Sequence, residues 1–192
     1  TFLKLTPAEL EIVLDVHLKG AFYVTQPAFK VMKENGYGRI VLTASAAGVL
    51  GNFGQTNYAA AKMGLVGLSN VLAIEGAKNN IKCNVITPIA NTRLTQELLG
   101  PIADKLAPEC VTGLVLYLVS EQCELTHEMF TVGGGRYARF FIGMNEGWVK
   151  PGGGAATVEE IAEHIGEIRD PAKYTIPYGV GDELRLTAKL FR

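Results

Sequence analysis

Ser45, Tyr58 and Lys62 are the residues of this chain whose types and spacing could do chemistry together. Within Tyr58-Ala59-Ala60-Ala61-Lys62 the phenol and the ammonium stand four residues apart, so on a helix they project from one face. A phenol of ordinary acidity, with a pKa of about 10, exchanges protons poorly at neutral pH. A neighbouring cation favours the phenolate and brings it toward the useful range. A solvated helix face can carry such a pair as well. Ser45 adds a third group, placed 13 residues before Tyr58 and just after the apolar run that ends at Thr43. In a doubly wound sheet, ligands sit at the carboxyl ends of the strands. Two hydroxyls and one ammonium around a pocket there suit a carbonyl/alcohol redox step, because hydride transfer leaves an oxyanion that must be held and protonated.

These groups need a strand end and a returning helix to bring them together. Thr6-Pro7-Ala8-Glu9 is a capping box with proline at the first helical position. Apolar residues recur at Leu10, Val13, Leu14, Leu18, Phe22 and Val24, which predicts one long or broken helix to about Lys33, stopped by Asn35-Gly36-Tyr37-Gly38. Arg39 to Thr43 is a short apolar run without alternation, as in a strand buried on both faces of a parallel sheet. A Gly-rich loop from Gly48 to Gly54 leads to a second long helix, from about Asn57 to Lys78. Ile81 to Ile86 is another interior strand, ended by Pro88; a helix from about Pro108 to Ser120 and a strand from Glu128 to Val132 follow. Between them, Leu94 to Leu106 is either a mobile lid or an ordinary surface helix. Helices alternating with short apolar strands predict an α/β, doubly wound (Rossmann-like) parallel sheet over residues 1–135.

After Gly133-Gly134-Gly135 the pattern changes, and residues 136–192 read as an extension. Arg136 to Met144 is expected as one more strand, with Tyr137, Phe140, Phe141 and Ile142 too apolar to be left in water. Lys150 to Ala155 is a Gly/Pro linker, and Thr157-Val158-Glu159-Glu160 opens a short helix to about Arg169 with an apolar stripe at Val158, Ile161, Ala162, Ile165 and Ile168. From Pro171 onward no period is visible, and an arm or a loose tail is expected.

Composition narrows the function classes. Eighteen Lys+Arg against 19 Asp+Glu give a net charge of −1, whereas nucleic acid or an anionic membrane surface as main partner calls for a basic excess. The 48% apolar fraction is that of an ordinary globular protein. No apolar stretch approaches the roughly 18 residues that span a bilayer. Thr1-Phe2-Leu3-Lys4-Leu5 carries no basic stretch followed by an apolar one, so no secretory signal is expected. Cys83, Cys110 and Cys123 match neither a disulfide framework nor a zinc site, which makes a reducing cytoplasm the simplest setting. His127 and His164 are isolated, fit no metal-ligand spacing and are expected at the surface. No Gly-x-Ser-x-Gly elbow surrounds Ser45, against a serine hydrolase.

The strand, then Ser45, then Tyr58-x-x-x-Lys62, preceded by Val16-His17-Leu18-Lys19-Gly20 and followed by Asn84-Val85-Ile86-Thr87-Pro88, resembles the short-chain dehydrogenase/reductase family over roughly Thr6 to Gly135. Asp15 to Phe22, Gly51 to Tyr58 and Glu75 to Ile81 are similar to the (3R)-hydroxyacyl-CoA dehydrogenase units of the multifunctional β-oxidation enzymes, as is the continuation past Gly135. The resemblance implies that Tyr58 is the general acid/base and that Ser45 positions the substrate oxygen. It implies that Lys62 favours the phenolate of Tyr58 and bonds the nicotinamide ribose, and that Pro88, Ile89 and Thr92 hold the nicotinamide side, Thr92 through the carboxamide. It further implies NAD as cofactor, with NADP not excluded, an acyl-CoA-type substrate, and a homo-oligomer packed through the helix of Tyr58 and Lys62, whose Ala59, Ala60, Ala61, Gly64 and Gly67 admit a close neighbour.

Three departures qualify this. His17 stands where the family usually has an asparagine that helps a proton relay; it either takes over the relay or is a satisfied helix histidine. Pro88-Ile89 replaces the usual Pro-Gly. No Gly-x-Gly-x-x-Gly or related phosphate loop opens a helix; Gly133 to Gly135 and Gly152 to Gly154 read as flexible turns. In the family that loop, and the acidic residue that chooses the cofactor, lie before the position of Thr1, so the chain resembles roughly the back two-thirds of such a domain. Its expected activity is hydride transfer between a nicotinamide and a (3R)-hydroxyacyl-CoA. The alternatives are an NADPH-dependent 3-oxoacyl reductase or other short-chain reductase, or a non-catalytic dimerisation module.

Overall fold

The computed structural model describes residues 1–189, the side chain of Leu98 excepted. Helix α1 (Pro7–Leu14) begins at the Thr6–Glu9 capping box, both halves of which form. It does not run smoothly into α2 (Gly20–Asn35), because Asp15–Lys19 forms a π-helical turn in which the Gly20 N–H donates to the Asp15 carbonyl. Gly36, at φ +64°, ends α2 in the left-handed conformation that favours glycine. Strand β1 (Gly38–Thr43) follows.

Where a Gly-rich loop was expected, Ala46–Leu50 forms a short helix, α3, because the Ser45 side chain caps it. Helix α4 (Thr56–Gly76) then carries the chain back to β2 (Ile81–Pro88). A long connection containing α5 (Gln96–Leu99) and a 3₁₀ segment (Gly100–Lys105) leads to α6 (Glu109–Val119), β3 (Met129–Gly133) and β4 (Arg136–Phe140).

The sheet order is β1-β2-β3-β4. The first three strands are parallel, as expected for residues 1–135, and β4, in the extension, adds an antiparallel edge beside β3. Ile40, Leu42, Cys83 and Val85 point to one face, against Leu65, Leu72 and Ala73 of α4 and Ala21, Phe29 and Met32 of α2. Val41 and Ile86 point to the other, against Val111, Leu114 and Leu118 of α6. Helices on both faces explain the near-continuous apolar runs of β1 and β2. Buried Asn84 ties β2 to the chain before β3: its Nδ2 donates to the Leu125 carbonyl at 2.8 Å and its Oδ1 accepts the Glu128 N–H at 3.2 Å.

The chain divides into two compact units, Thr1–Phe140 and Phe141–Arg192. The first ends at Phe140 and not at residue 135, because β4 belongs to the main sheet. The expected strand to Met144 is therefore interrupted: Met144–Asn145 (β5) pairs antiparallel with Tyr174–Thr175 (β6) in the second unit. There α7 (Val158–Ile168) starts at a complete Thr157–Glu160 capping box, whose glutamate also meets Lys150 Nζ at 2.6 Å. Trp148 stacks on His164 at 4.3 Å, and Phe141 on Tyr174 at 5.5 Å.

Residues 180–189 correct the expectation of a loose tail: Val180–Lys189 is a helix, α8. Its start is fixed by the Asp182 carboxylate, which accepts the N–H groups of Tyr178 and Gly179, a polar signal that a search for apolar period misses. The expected burial also fails in part: Tyr137, Ile142, Val158 and Ile165 are exposed. His127, expected at the surface, is half-buried with φ +64°. No helix of the described residues is long and apolar enough to cross a membrane.

Candidate active site

The carboxyl end of β1 and the first two turns of α4 build the site. Lys62 is only 9% exposed, and its Nζ donates to the Thr43 carbonyl, the last of β1, at 2.8 Å. Burial pulls its ammonium below the ordinary lysine pKa. The same Nζ lies 5.7 Å from the centroid of the Tyr58 ring, so the strand end holds the cation beside the phenol. Tyr58 is fixed from its backbone: its N–H donates to Asn57 Oδ1 at 2.9 Å, while Asn57 Nδ2 donates to the Glu9 carbonyl of α1 at 3.0 Å.

His17 meets the Tyr58 ring edge-on, with centroids 5.2 Å apart and planes at 89°. The π-helical turn places it there, since the extra residue changes which side chains of this segment face α4. Its pKa is held below the ordinary value by burial first and by the charge of Lys62 second, which keeps the imidazole neutral at pH 7. Lys19, ion-paired with Asp15 at 2.7 Å and Glu11 at 3.2 Å, spans the same turn on the solvent side.

Ser45 caps α3 by accepting the Ala47 N–H at 3.2 Å. The cap uses the oxygen as acceptor and keeps the O–H proton available for a ligand oxygen. A methyl group at Gly48 would lie 2.9 Å from the Met63 nitrogen and 3.1 Å from Lys62 Cβ, so only glycine lets α3 rest on the stretch of α4 that bears Lys62.

Thr43 is in register with Ile86, and the Ala44 N–H donates to the Ile86 carbonyl at 2.8 Å. The ends of β1 and β2 thus lie side by side, which puts Ser45 and Pro88-Ile89 at one edge of the sheet. Ile89 is 39% exposed. Thr92 lies farther out, exposed, with its hydroxyl 3.0 Å from that of Thr95. The Tyr58 ring therefore lies beside both His17 and the Lys62 ammonium, Ser45, Pro88 and Ile89 follow the adjacent ends of β1 and β2, and Thr92 is engaged locally. Sequence reasoning missed Thr43 and Gly48. A backbone carbonyl has no sequence signature, whereas Asn57, also missed, is a residue type favoured at helix starts.

A sequence profile described as short chain dehydrogenase matches residues 1–100. The chain belongs to the short chain dehydrogenase family. Among its relatives in that family, a short-chain type dehydrogenase/reductase of Mycobacterium tuberculosis is 44% identical over 173 residues, covering 88% of this chain and 59% of the relative. The peroxisomal multifunctional enzyme type 2 of the mouse is 48% identical over 136 residues, 70% of this chain and 18% of that enzyme. The solved full-length peroxisomal multifunctional enzyme type 2 of Drosophila melanogaster superposes with a TM-score of 0.88 at 35% identity, covering 99% of this chain and 35% of that one. The resemblance drawn from the sequence is borne out, and the last match extends through the residues after Gly135. This chain spans about three-fifths of the mycobacterial relative and about a fifth of the mouse enzyme.

The donor set suits the nicotinamide cofactors of short chain dehydrogenases. Among the described residues the Lys62 ammonium has one acceptor, Thr43, so two of its three N–H bonds remain for a vicinal diol such as a ribose.

Proposed function

We propose that the protein is an oxidoreductase that moves a hydride between NAD and a (3R)-hydroxyacyl-CoA. The observation that carries this is the Tyr58 ring, flanked by the Lys62 ammonium and the neutral His17 ring, with Ser45 capping the helix that follows the β1 end to which Lys62 is bound. In this reading Ser45 donates its O–H to the substrate oxygen and fixes it. Tyr58 takes the hydroxyl proton of the substrate as oxidation proceeds. Lys62, anchored by Thr43, stabilises negative charge on the phenol oxygen and offers its remaining N–H bonds to the ribose. His17 can both donate and accept, so it passes the proton onward to water. The nicotinamide, when bound, supplies the acceptor for the hydride. Pro88 and Ile89 would line its ring, and Thr92 would reach its carboxamide by giving up its bond to Thr95.

The acyl-CoA substrate is supported by the stretches around His17, Tyr58 and Lys78, which resemble the β-oxidation branch of the family, and by the likeness to the peroxisomal multifunctional enzymes. Free Cys83, Cys110 and Cys123 support a reducing compartment, and we place the protein in the cytoplasm. Gly67, Val71 and Ile74 leave an accessible small and apolar face on α4, which supports a homo-oligomer through that helix. The test is oxidation of (3R)- and (3S)-3-hydroxybutyryl-CoA by the intact protein with NAD and with NADP. Turnover of the (3R) isomer with NAD is expected. Preference for the (3S) isomer would sink the substrate reading, and preference for NADP would turn it into a 3-oxoacyl reductase.

A further inference from the structure

The run Gly133-Gly134-Gly135 takes no part in the chemistry above, yet its surroundings are crowded on one side. Gly134 and Gly135, at φ +56° and +80°, are the two central residues of the hairpin that joins β3 to β4. Both angles belong to the hairpin turn that favours glycine twice over. Gly133 has no such angle, so another reason holds it. A Cβ there would lie 2.3 Å from the Ile89 carbonyl oxygen, 3.0 Å from Ile89 Cβ and 3.1 Å from the Ile89 carbonyl carbon. At Gly134 a Cβ would lie 3.1 Å from the Lys105 carbonyl oxygen and 3.0 Å from Leu106 Cδ2.

Ile89 and Leu106 are the two feet of the connection between β2 and α6. The Ile89 N–H donates to the Val132 carbonyl at 2.8 Å, and the Asn91 N–H donates to the Leu106 carbonyl at 2.6 Å. Leu106 is buried, whereas Leu94 and Ile102 between the feet are exposed. The two glycines therefore lie against both feet of one loop: at Gly133 the nearest neighbour is backbone, which cannot swing aside, and at Gly134 it is a leucine methyl together with a backbone carbonyl.

We propose that Gly133 and Gly134 are positioning residues that seat the loop from Ile89 to Leu106, and that Gly133 thereby sets where Pro88 and Ile89 meet the nicotinamide. This rests on the reading that those residues line the cofactor. A Cβ at residue 133 must push the Ile89 carbonyl away by about 1 Å to reach ordinary contact, and a misplacement of that size can cost about a hundredfold at a reacting centre. The adenosine half of the cofactor makes no use of Ile89 in this reading.

The test compares Gly133→Ala with Gly135→Ala in the intact protein. Gly135 shares the turn and its positive φ but has nothing within 4 Å of its missing Cβ, so it controls for turn strain. Hydrogen exchange reads the seat directly: Gly133→Ala should speed exchange of the Ile89 and Asn91 amides at least about tenfold while leaving the Val85 amide unchanged. Titration calorimetry reads the consequence: the Kd for NADH should rise about tenfold or more, and that for ADP-ribose, which lacks the nicotinamide ring, should stay within about twofold. Gly135→Ala should lower the melting temperature and leave exchange and both Kd values as in the parent. Unchanged exchange at Ile89 and Asn91, or a rise that includes Val85 or that Gly135→Ala reproduces, overturns the seat. Faster exchange with equal effects on NADH and ADP-ribose overturns the link to the nicotinamide. Failure to oxidise a hydroxyacyl thioester bears on the proposed substrate alone, since neither measurement uses one.

Discussion

Replacing Tyr58 with phenylalanine removes one oxygen atom and leaves the contacts of the ring in place. The ring still meets His17 at 5.2 Å and lies 5.7 Å from Lys62 Nζ, and the backbone N–H still donates to Asn57. Among the described residues the phenol oxygen has no hydrogen-bond partner, so its loss orphans no buried group. Folding stability should therefore move by no more than about 0.5 kcal/mol. Turnover should change far more, because a positioned acid/base contributes about 10²–10⁴-fold, roughly 3–5 kcal/mol at the barrier. Three measurements separate these terms: a thermal melt, calorimetric binding of NADH, and the rate of NADH formation from (3R)-3-hydroxybutyryl-CoA. The expected result is a near-parental melt, a near-parental Kd and a rate reduced at least about a hundredfold. A variant that keeps more than a few per cent of the parental rate would refute the assignment of Tyr58. One that loses activity together with more than about 1 kcal/mol of stability would show that the hydroxyl is structural.

Three further perturbations test other parts of the argument. Lys62→Met should raise the melting temperature at pH 7 while lowering turnover about a hundredfold and weakening NADH binding: the folded-state pKa is depressed by burial, so the ammonium is held at a cost below its ordinary value. An unchanged or lower melting temperature would contradict that sign. His17, also depressed, contributes stability that is present above its ordinary value of 6.5 and is lost as pH falls through its folded value. His17→Gln should remove that acid-side fall from melts recorded between about pH 7 and pH 5, and a slope equal to the parent's would show that the ring does not titrate as described. Asn84→Leu leaves the Leu125 carbonyl and the Glu128 N–H without their partner, which should cost about 2–5 kcal/mol and lower the melting temperature by roughly 5–15 °C.

Ser45, Tyr58 and Lys62 were legible in the sequence because each reaches its place through a regular element: a strand end, a helix start and a four-residue step. Both capping boxes were legible for the same reason, since their four residues are contiguous. The π-helical turn was not. Leu18 and Phe22 follow the four-residue step of a regular helix, yet Leu18 packs on the core while Phe22 is 48% exposed and Ala21 takes the inner face. The extra residue of the turn rotates the following helix, and neighbouring side-chain types do not record that rotation. For His17, only resemblance marked the position. The Thr43 carbonyl and the surroundings of Gly133 depend on backbone brought from distant parts of the chain, so no local pattern announces them.

The stack of Trp148 on His164 has a practical consequence. Trp148 is the sole tryptophan of the chain, and it lies in the second unit. Indole fluorescence, selectively excited, therefore reports on residues 141–192 alone. Most of the helical ellipticity comes from α1, α2, α4 and α6, which all lie in the first unit. One denaturant titration followed by both signals thus sets a probe confined to the second unit against one dominated by the first. Coincident midpoints would mark a single cooperative transition, and split midpoints would mark two units that melt on their own terms.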